Sequence, residues 1–127
     1  MIVCDTDIMV DILRGHPDAL SWLRANSCET IAIPGLVVME LLQGCRNKTE
    51  QNLLNKTLKG YRLLWPSHEA CDYALKFFSS HHLSQGIGII DALIAETAVE
   101  ANSYLHTFNQ KHYLPHPKLQ TIQPYQR

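Results

Sequence analysis

The sequence predicts an α/β sandwich around a mainly parallel sheet, and three observations carry the prediction. Short β-favouring apolar runs alternate along the chain with helical patterns longer than ten residues. Glycine, proline and helix-capping residues fall between the two kinds of segment. The chain of 127 residues, 46% of them apolar, suffices for one compact domain with a single core. Strands separated by helices pair in parallel, because each helix carries the chain back across the sheet before the next strand begins.

The elements follow in order. Residues 2–5 form an apolar run of strand length, and Asp7, Ile8, Met9, Asp11, Ile12 and Leu13 continue as a helix that Gly15 can end. Pro17 and Asp18 open a second helix with Ala19, Leu20, Trp22 and Leu23 on one face, and residues 30–33 give a strand before Pro34. From Gly35 a strongly apolar helix runs through Leu36, Met39, Glu40 and Leu42 to Gly44. Asn47 or Thr49 starts the next helix, which carries Leu53, Leu54 and Leu58 and closes at Gly60. Residues 61–65 make a strand stopped by Pro66, and Ser67 caps a helix containing Ala70, Tyr73, Ala74, Phe77 and Phe78. Gly86 and Gly88 mark a loop. The clearest helix spans residues 89–102, and residues 103–107 and 119–122 supply two last strands, the final one at the edge. The His-Pro and Gln-Pro pairs near the end indicate an irregular, exposed tail.

Composition excludes several classes. The apolar stretches at residues 31–42 and 88–95 are broken by Pro34, Gly35, Glu40 and Asp91, and neither reaches the roughly 18 apolar residues of a membrane span. The first residues lack the basic segment and cleavage site of a signal peptide, so the cytoplasm is the default compartment. Cys4, Cys28, Cys45 and Cys71 are irregularly spaced, without a Cys-x-x-Cys pair, and read as reduced, mostly buried residues. With 11 Lys and Arg against 12 Asp and Glu, bulk charge does not advertise a polyanion partner, so any nucleic-acid contact must be local. Arg46, Lys48, Lys56, Lys59 and Arg62 are opposed only by Glu50, which fits both a solvated helix face and a phosphate-binding stripe.

Three carboxylates stand inside apolar runs: Asp5 after Ile2-Val3-Cys4, Glu40 within Val37-Val38-Met39-Glu40-Leu41-Leu42, and Asp91 within Ile89-Ile90-Asp91-Ala92-Leu93-Ile94. Burying an ionised side chain is unfavourable unless it is paired or binds a metal, and packing these runs together would gather the three charges. In an open parallel sheet the functional crevice lies beyond the carboxyl ends of the strands. Asp5 ends the first strand, Glu40 and Asp91 lie on neighbouring helices, and Thr107 and Asn109 follow the fourth strand. Oxygen donors in that number suit a hard cation such as Mg²⁺ or Mn²⁺, whereas zinc would want more histidine or thiolate.

Asp5-Thr6-Asp7-Ile8 after a short strand, Glu40-Leu41-x-x-Gly44, Asp91-Ala92-Leu93-Ile94-Ala95 and Thr107-x-Asn109-x-Lys111-His112-Tyr113 come in that order. Together they resemble the motifs of PIN-domain ribonucleases, particularly the VapC-type toxins of bacterial and archaeal toxin–antitoxin pairs, and the resemblance covers nearly the whole chain. It implies a three-layer α/β/α PIN-like domain over residues 1–127 with endoribonuclease activity dependent on Mg²⁺ or Mn²⁺. In such an enzyme Asp5 and Asp91 would be direct metal ligands, and Glu40 would bind metal, orient the attacking water, or both. Thr107 resembles a hydroxyl that positions the carboxylates. Asn109 stands where many PIN domains carry a fourth acid; an amide can ligate or hydrogen-bond there but adds no charge. The resemblance also implies an RNA substrate, a cognate antitoxin that covers the acidic groove, and a homodimer.

The remaining polar residues fit plainer roles. Asp7 reads foremost as a helix N-cap and otherwise as a partner of the site. Asp11 and Arg14 are spaced to pair along one helix. Glu96 lies well off the Asp91 face and, with Glu100, reads as a solvated or partner-facing edge. His112 reads as an exposed turn residue, and no ligand spacing links the seven histidines. Trp22, Trp65, Phe77 and Phe78 fit packing better than base stacking. Two other functions compete: a non-catalytic PIN module that binds RNA or protein, and a phosphoacceptor receiver domain, which would need a later strand to end in the acceptor aspartate.

Overall fold

The computed structural model describes residues 1–127. The chain begins with β1 (Ile2–Cys4), α1 (Thr6–Leu13), α2 (Pro17–Ala25), β2 (Ile31–Pro34) and α3 (Gly35–Gln43). It continues through α4 (Lys48–Leu58), β3 (Arg62–Leu64), α5 (His68–Gln85) and α6 (Ile89–Glu100). The last elements are β4 (Leu105–His106), α7 (Gln110–Tyr113) and β5 (Thr121–Ile122). Local chemistry sets most boundaries as expected. Asn47 accepts from the Glu50 amide at 2.9 Å to start α4, Ser67 accepts from the Ala70 amide at 3.1 Å to start α5, and Gly86, with φ 66°, ends α5 in the left-handed region.

The five strands pair in the order β3-β2-β1-β4-β5, every neighbour parallel, with Val3 in register with Ala32 on one side and Leu105 on the other. The chain therefore moves outward from β1 through β2 and β3, then returns to build β4 and β5 on the opposite side. That reversal leaves a crevice between the carboxyl ends of β1 and β4. A parallel sheet is covered on both faces, and Val3, Cys4, Ala32, Ile33 and Leu105 are accordingly almost or wholly inaccessible. Ile8, Met9, Val37, Ile94, Ala95 and Ala98 bring the helices onto it in the expected helix–sheet–helix arrangement. No helix is long and apolar enough to cross a membrane.

Three features depart from the sequence expectation. Of the four free cysteines only Cys4 is buried, with Cys45 half-buried and Cys28 and Cys71 exposed, because the latter three lie on helix surfaces or turns. The tail after β5 is docked: Tyr125 is half-buried, its ring centroid 5.0 Å from that of Phe108 and 6.1 Å from that of Trp22. Burial of that aromatic surface outweighs the irregular backbone that the prolines impose. Trp65 remains 57% exposed, yet its ring lies so close to Gly35 that a Cβ there would stand 2.4 Å from it. Glycine at the start of α3 thus permits a close approach that alanine would block.

Candidate active site

Asp5 leaves β1 in an extended conformation and is itself the N-cap of α1, with Oδ1 accepting from the Thr6 amide at 2.8 Å. Its Oδ2 accepts from the Thr107 hydroxyl at 2.9 Å and the Tyr113 hydroxyl at 3.0 Å. Only 6% of Asp5 is exposed, and burial, reinforced by the charge of Asp7, pushes its carboxyl up to about 6 despite those three bonds. Asp7 is therefore not the cap. Its Oδ1 accepts from the Ile8 amide at 2.8 Å, and its Oδ2 accepts from the Phe108 amide at 2.9 Å, which ties α1 to the turn after β4.

Thr107 joins the two aspartates. It is wholly buried, its hydroxyl lies 2.9 Å from Asp5 Oδ2 and 3.3 Å from Asp7 Oδ2, and it accepts from the Asn109 amide at 3.0 Å. Glu40 reaches the same place from α3, where its Oε1 accepts from the Thr6 hydroxyl at 2.8 Å. Thr6 thus holds Asp5 through its backbone and Glu40 through its side chain. Asp91, in the first turn of α6, is linked to Asp5 by the Tyr113 hydroxyl, 3.4 Å from Asp91 Oδ1. Gly88 makes room for Asp91, because a Cβ at residue 88 would stand 3.0 Å from Asp91 Oδ2.

At the carboxyl ends of β1 and β4, Asp5 is thus tied to Thr107 directly, to Asp91 through the Tyr113 hydroxyl and to Glu40 through Thr6. Asn109 stands at the rim with an exposed side chain that makes no hydrogen bond. Sequence reasoning missed three contributors. Tyr113 is 2% exposed, and burial beside Asp5 and Asp91 drives its phenol far up, so the hydroxyl stays protonated and donates to those acids. Thr6 links two acids. His112 is not an exposed turn residue: its Nε2 lies 2.7 Å from Asp91 Oδ2, and its side chain is 24% exposed. The signal for all three lay inside the quoted motifs, as polar groups beside the acids, but spacing does not reveal which way a side chain turns.

Other acids take roles apart from this cluster. Glu96 is buried rather than solvated, with Oε1 2.5 Å from His116 Nε2, while His116 Nδ1 accepts from the amides of Lys118 and Leu119 at 3.1 and 3.0 Å. Two amides on Nδ1 leave the ring proton on Nε2, so the histidine donates to Glu96. Glu100 accepts from the amide and hydroxyl of Ser67. Asp11 pairs not with Arg14 but with Tyr125 at 2.8 Å and Arg127 at 2.9 Å. Burial would raise the Asp11 carboxyl, but the Arg127 and Tyr125 bonds outweigh it and hold the group below its ordinary value.

No lysine or arginine lies within ion-pair reach of Asp5, Glu40 or Asp91, and no three acidic, histidine or cysteine side chains stand close enough together to form a ready-made metal cage. A groove of about 770 Å³ runs from Thr6 and Glu40 between α1, α3 and α4, lined further by Val10, Leu41 and Leu54.

The sequence pattern of the PIN domain matches residues 2–114. The chain is 35% identical to Ribonuclease VapC19 of Mycobacterium tuberculosis, over 94% of this chain and 98% of that protein. It belongs to the PIN-domain family, on the VapC-type branch. This PIN domain also superposes on the crystal structure of VapBC2 from Rickettsia felis bound to a promoter DNA fragment, with TM-score 0.78, 28% identity and coverage of 96% of this chain and 98% of that one. A toxin–antitoxin complex from Klebsiella pneumoniae shares the fold at TM-score 0.78 and 20% identity, over 100% of both chains. The acids of this PIN domain thus sit on a scaffold common to proteins of diverged sequence.

Proposed function

We propose that this chain is an Mg²⁺- or Mn²⁺-dependent endoribonuclease, a single PIN domain over residues 1–127 that acts in the cytoplasm as the toxin of a type II toxin–antitoxin pair. The similarity to Ribonuclease VapC19 over nearly the whole of both chains supports the substrate class. The observation that carries the proposal is the linkage of Asp5 to Glu40 through Thr6 and to Asp91 through Tyr113, with no lysine or arginine of the protein within ion-pair reach of the three acids.

The donor set fits a hard cation. All three acids offer oxygen, Asp5 carries a buried charge that burial disfavours, and Mg²⁺ binds through one or two carboxylates while keeping several waters, so a closed cage is not required. Asp5 and Asp91 would hold the ion. When bound, it would cancel charge developing on the phosphodiester and make a water more acidic. The Tyr113 hydroxyl keeps Asp5 Oδ2 turned towards Asp91, and the Thr107 hydroxyl restrains the same oxygen. With its carboxyl at about 6, Asp5 is largely ionised at neutral pH. Glu40 Oε2 makes no hydrogen bond within the chain, which leaves it free to orient the attacking water and accept its proton. Asn109 offers an uncharged oxygen or amide at the rim.

The same acidic crevice, with the groove beside Glu40, suits a cognate antitoxin that presents arginine to the carboxylates. A homodimer accords with the VapC-type branch. Purified protein incubated with total cellular RNA and Mg²⁺ or Mn²⁺ should yield discrete cut sites, mapped by sequencing the new ends. Equal cleavage in excess chelator contradicts metal dependence, and RNA binding without any cut favours the non-catalytic module.

A further inference from the structure

We propose that Arg127 is a phosphate-binding residue of the RNA path, fixed at the rim of the acidic crevice; the proposal rests on the endoribonuclease reading above. Arg127 lies beyond the span matched by the PIN pattern, which ends at residue 114. Its guanidinium carbon sits 4.2 Å from the centroid of the Phe108 ring, Nε donates to Asp11 Oδ2 at 2.9 Å, and Nη2 stands 3.5 Å from the Asp7 carbonyl. Phe108 directly follows Thr107, and Asp7 shares the Thr107 hydroxyl with Asp5. The cation is thereby attached to the two segments that carry the site.

Three properties suit it to a phosphate. It is held in place: the Tyr125 hydroxyl grips the same Asp11 oxygen at 2.8 Å, and the Tyr125 ring packs on Phe108. A guanidinium fixed before binding loses less entropy when it meets an oxyanion. It is also available, because 46% of the side chain is exposed and Nη1 has no partner in the chain. The bond to Asp11 uses Nε and the Asp7 carbonyl takes one Nη2 proton, which leaves both Nη1 protons and the second Nη2 proton for phosphate oxygens. Finally, it meets a need. Carboxylates repel a polyanion, and a cation at the rim offsets that repulsion along the strand. Arg46, in the groove beside Glu40, turns its guanidinium to Glu50 at 2.7 Å and makes no hydrogen bond with the segments that carry Asp5 and Thr107.

The test uses full-length Asp5→Asn protein, to prevent cutting, and a fluorescent single-stranded oligoribonucleotide titrated across roughly 50–200 mM salt. Arg127→Gln keeps a donor for Asp11 but removes the charge. It should weaken binding roughly tenfold and flatten the slope of log affinity against log salt by about 0.7, the value of one single-strand phosphate contact. Arg127→Lys should restore the slope. Tyr125→Phe, which loosens the clasp but keeps the cation, should retain the parental slope. An unchanged slope in Arg127→Gln overturns the proposal and leaves Arg127 a purely structural clasp. If the Asp5→Asn parent binds no RNA, the endoribonuclease reading itself fails, and this inference with it.

Discussion

Tyr113 donates its buried hydroxyl to Asp5 across 108 residues of sequence, at 3.0 Å, and the same oxygen stands 3.4 Å from Asp91. One phenol therefore sets the facing of the two acids that the proposed mechanism uses most. Tyr113→Phe keeps the ring in the core and removes only the donor. It should lower stability by about 1 kcal/mol in denaturant unfolding, since Asp5 retains the Thr6 and Thr107 bonds. Cleavage should fall, but less than in Asp5→Asn. Unchanged stability and rate would show that the hydroxyl is a bystander.

The raised carboxyl of Asp5 makes a signed prediction for the metal-free protein. Its folded value, about 6, lies above the ordinary 3.8, so the folded protein binds this proton more tightly than the unfolded chain does. The resulting stability is present below about pH 4 and is lost as pH rises through 6, to a total of about 3 kcal/mol. Asp5→Asn has no such loss. Measured in chelator, the stability of the natural chain relative to Asp5→Asn should therefore fall by about 3 kcal/mol between pH 4 and neutral pH. A gap independent of pH would contradict an uncompensated charge at Asp5.

The Glu96–His116 pair predicts an asymmetry between removing and softening a buried polar contact. His116→Ala strands the Glu96 carboxylate and orphans the amides of Lys118 and Leu119. It should lower the unfolding free energy by about 3 kcal/mol. Glu96→Gln still accepts from Nε2 and should lower it by about 1 kcal/mol. Equal effects of the two substitutions would mean that the pair is not held in this geometry.

Most of the architecture was legible because it depends on local chemistry. Apolar runs, Pro34 and Pro66, the Asn47 and Ser67 caps and the Gly86 stop mark their elements regardless of the rest of the chain. The need of Asp5, Glu40 and Asp91 for a partner was legible for another reason: a carboxylate in an apolar run requires one, and no lysine or arginine stood nearby in sequence. What the sequence hid was pairing at long range. Asp11 had Arg14 at helical spacing yet chose Arg127, 116 residues away, because the docked Tyr125 brings that arginine alongside. Glu96 looked like a surface acid until His116 folded over it, and His112 looked exposed until the short α7 turned its ring towards Asp91.

Under the proposed function, Asp5, Glu40 and Asp91 together carry out metal-dependent cleavage of RNA. Single-turnover cutting of one mapped RNA site by the natural chain and by Asp91→Asn, across a titration of Mn²⁺ and with folding verified by circular dichroism, tests it most directly. Cutting by the natural chain should rise and saturate with Mn²⁺, and the folded variant should lose at least roughly a hundredfold at every concentration. Cutting by Asp91→Asn at the natural rate, or cutting by the natural chain that ignores Mn²⁺, would contradict the proposed function.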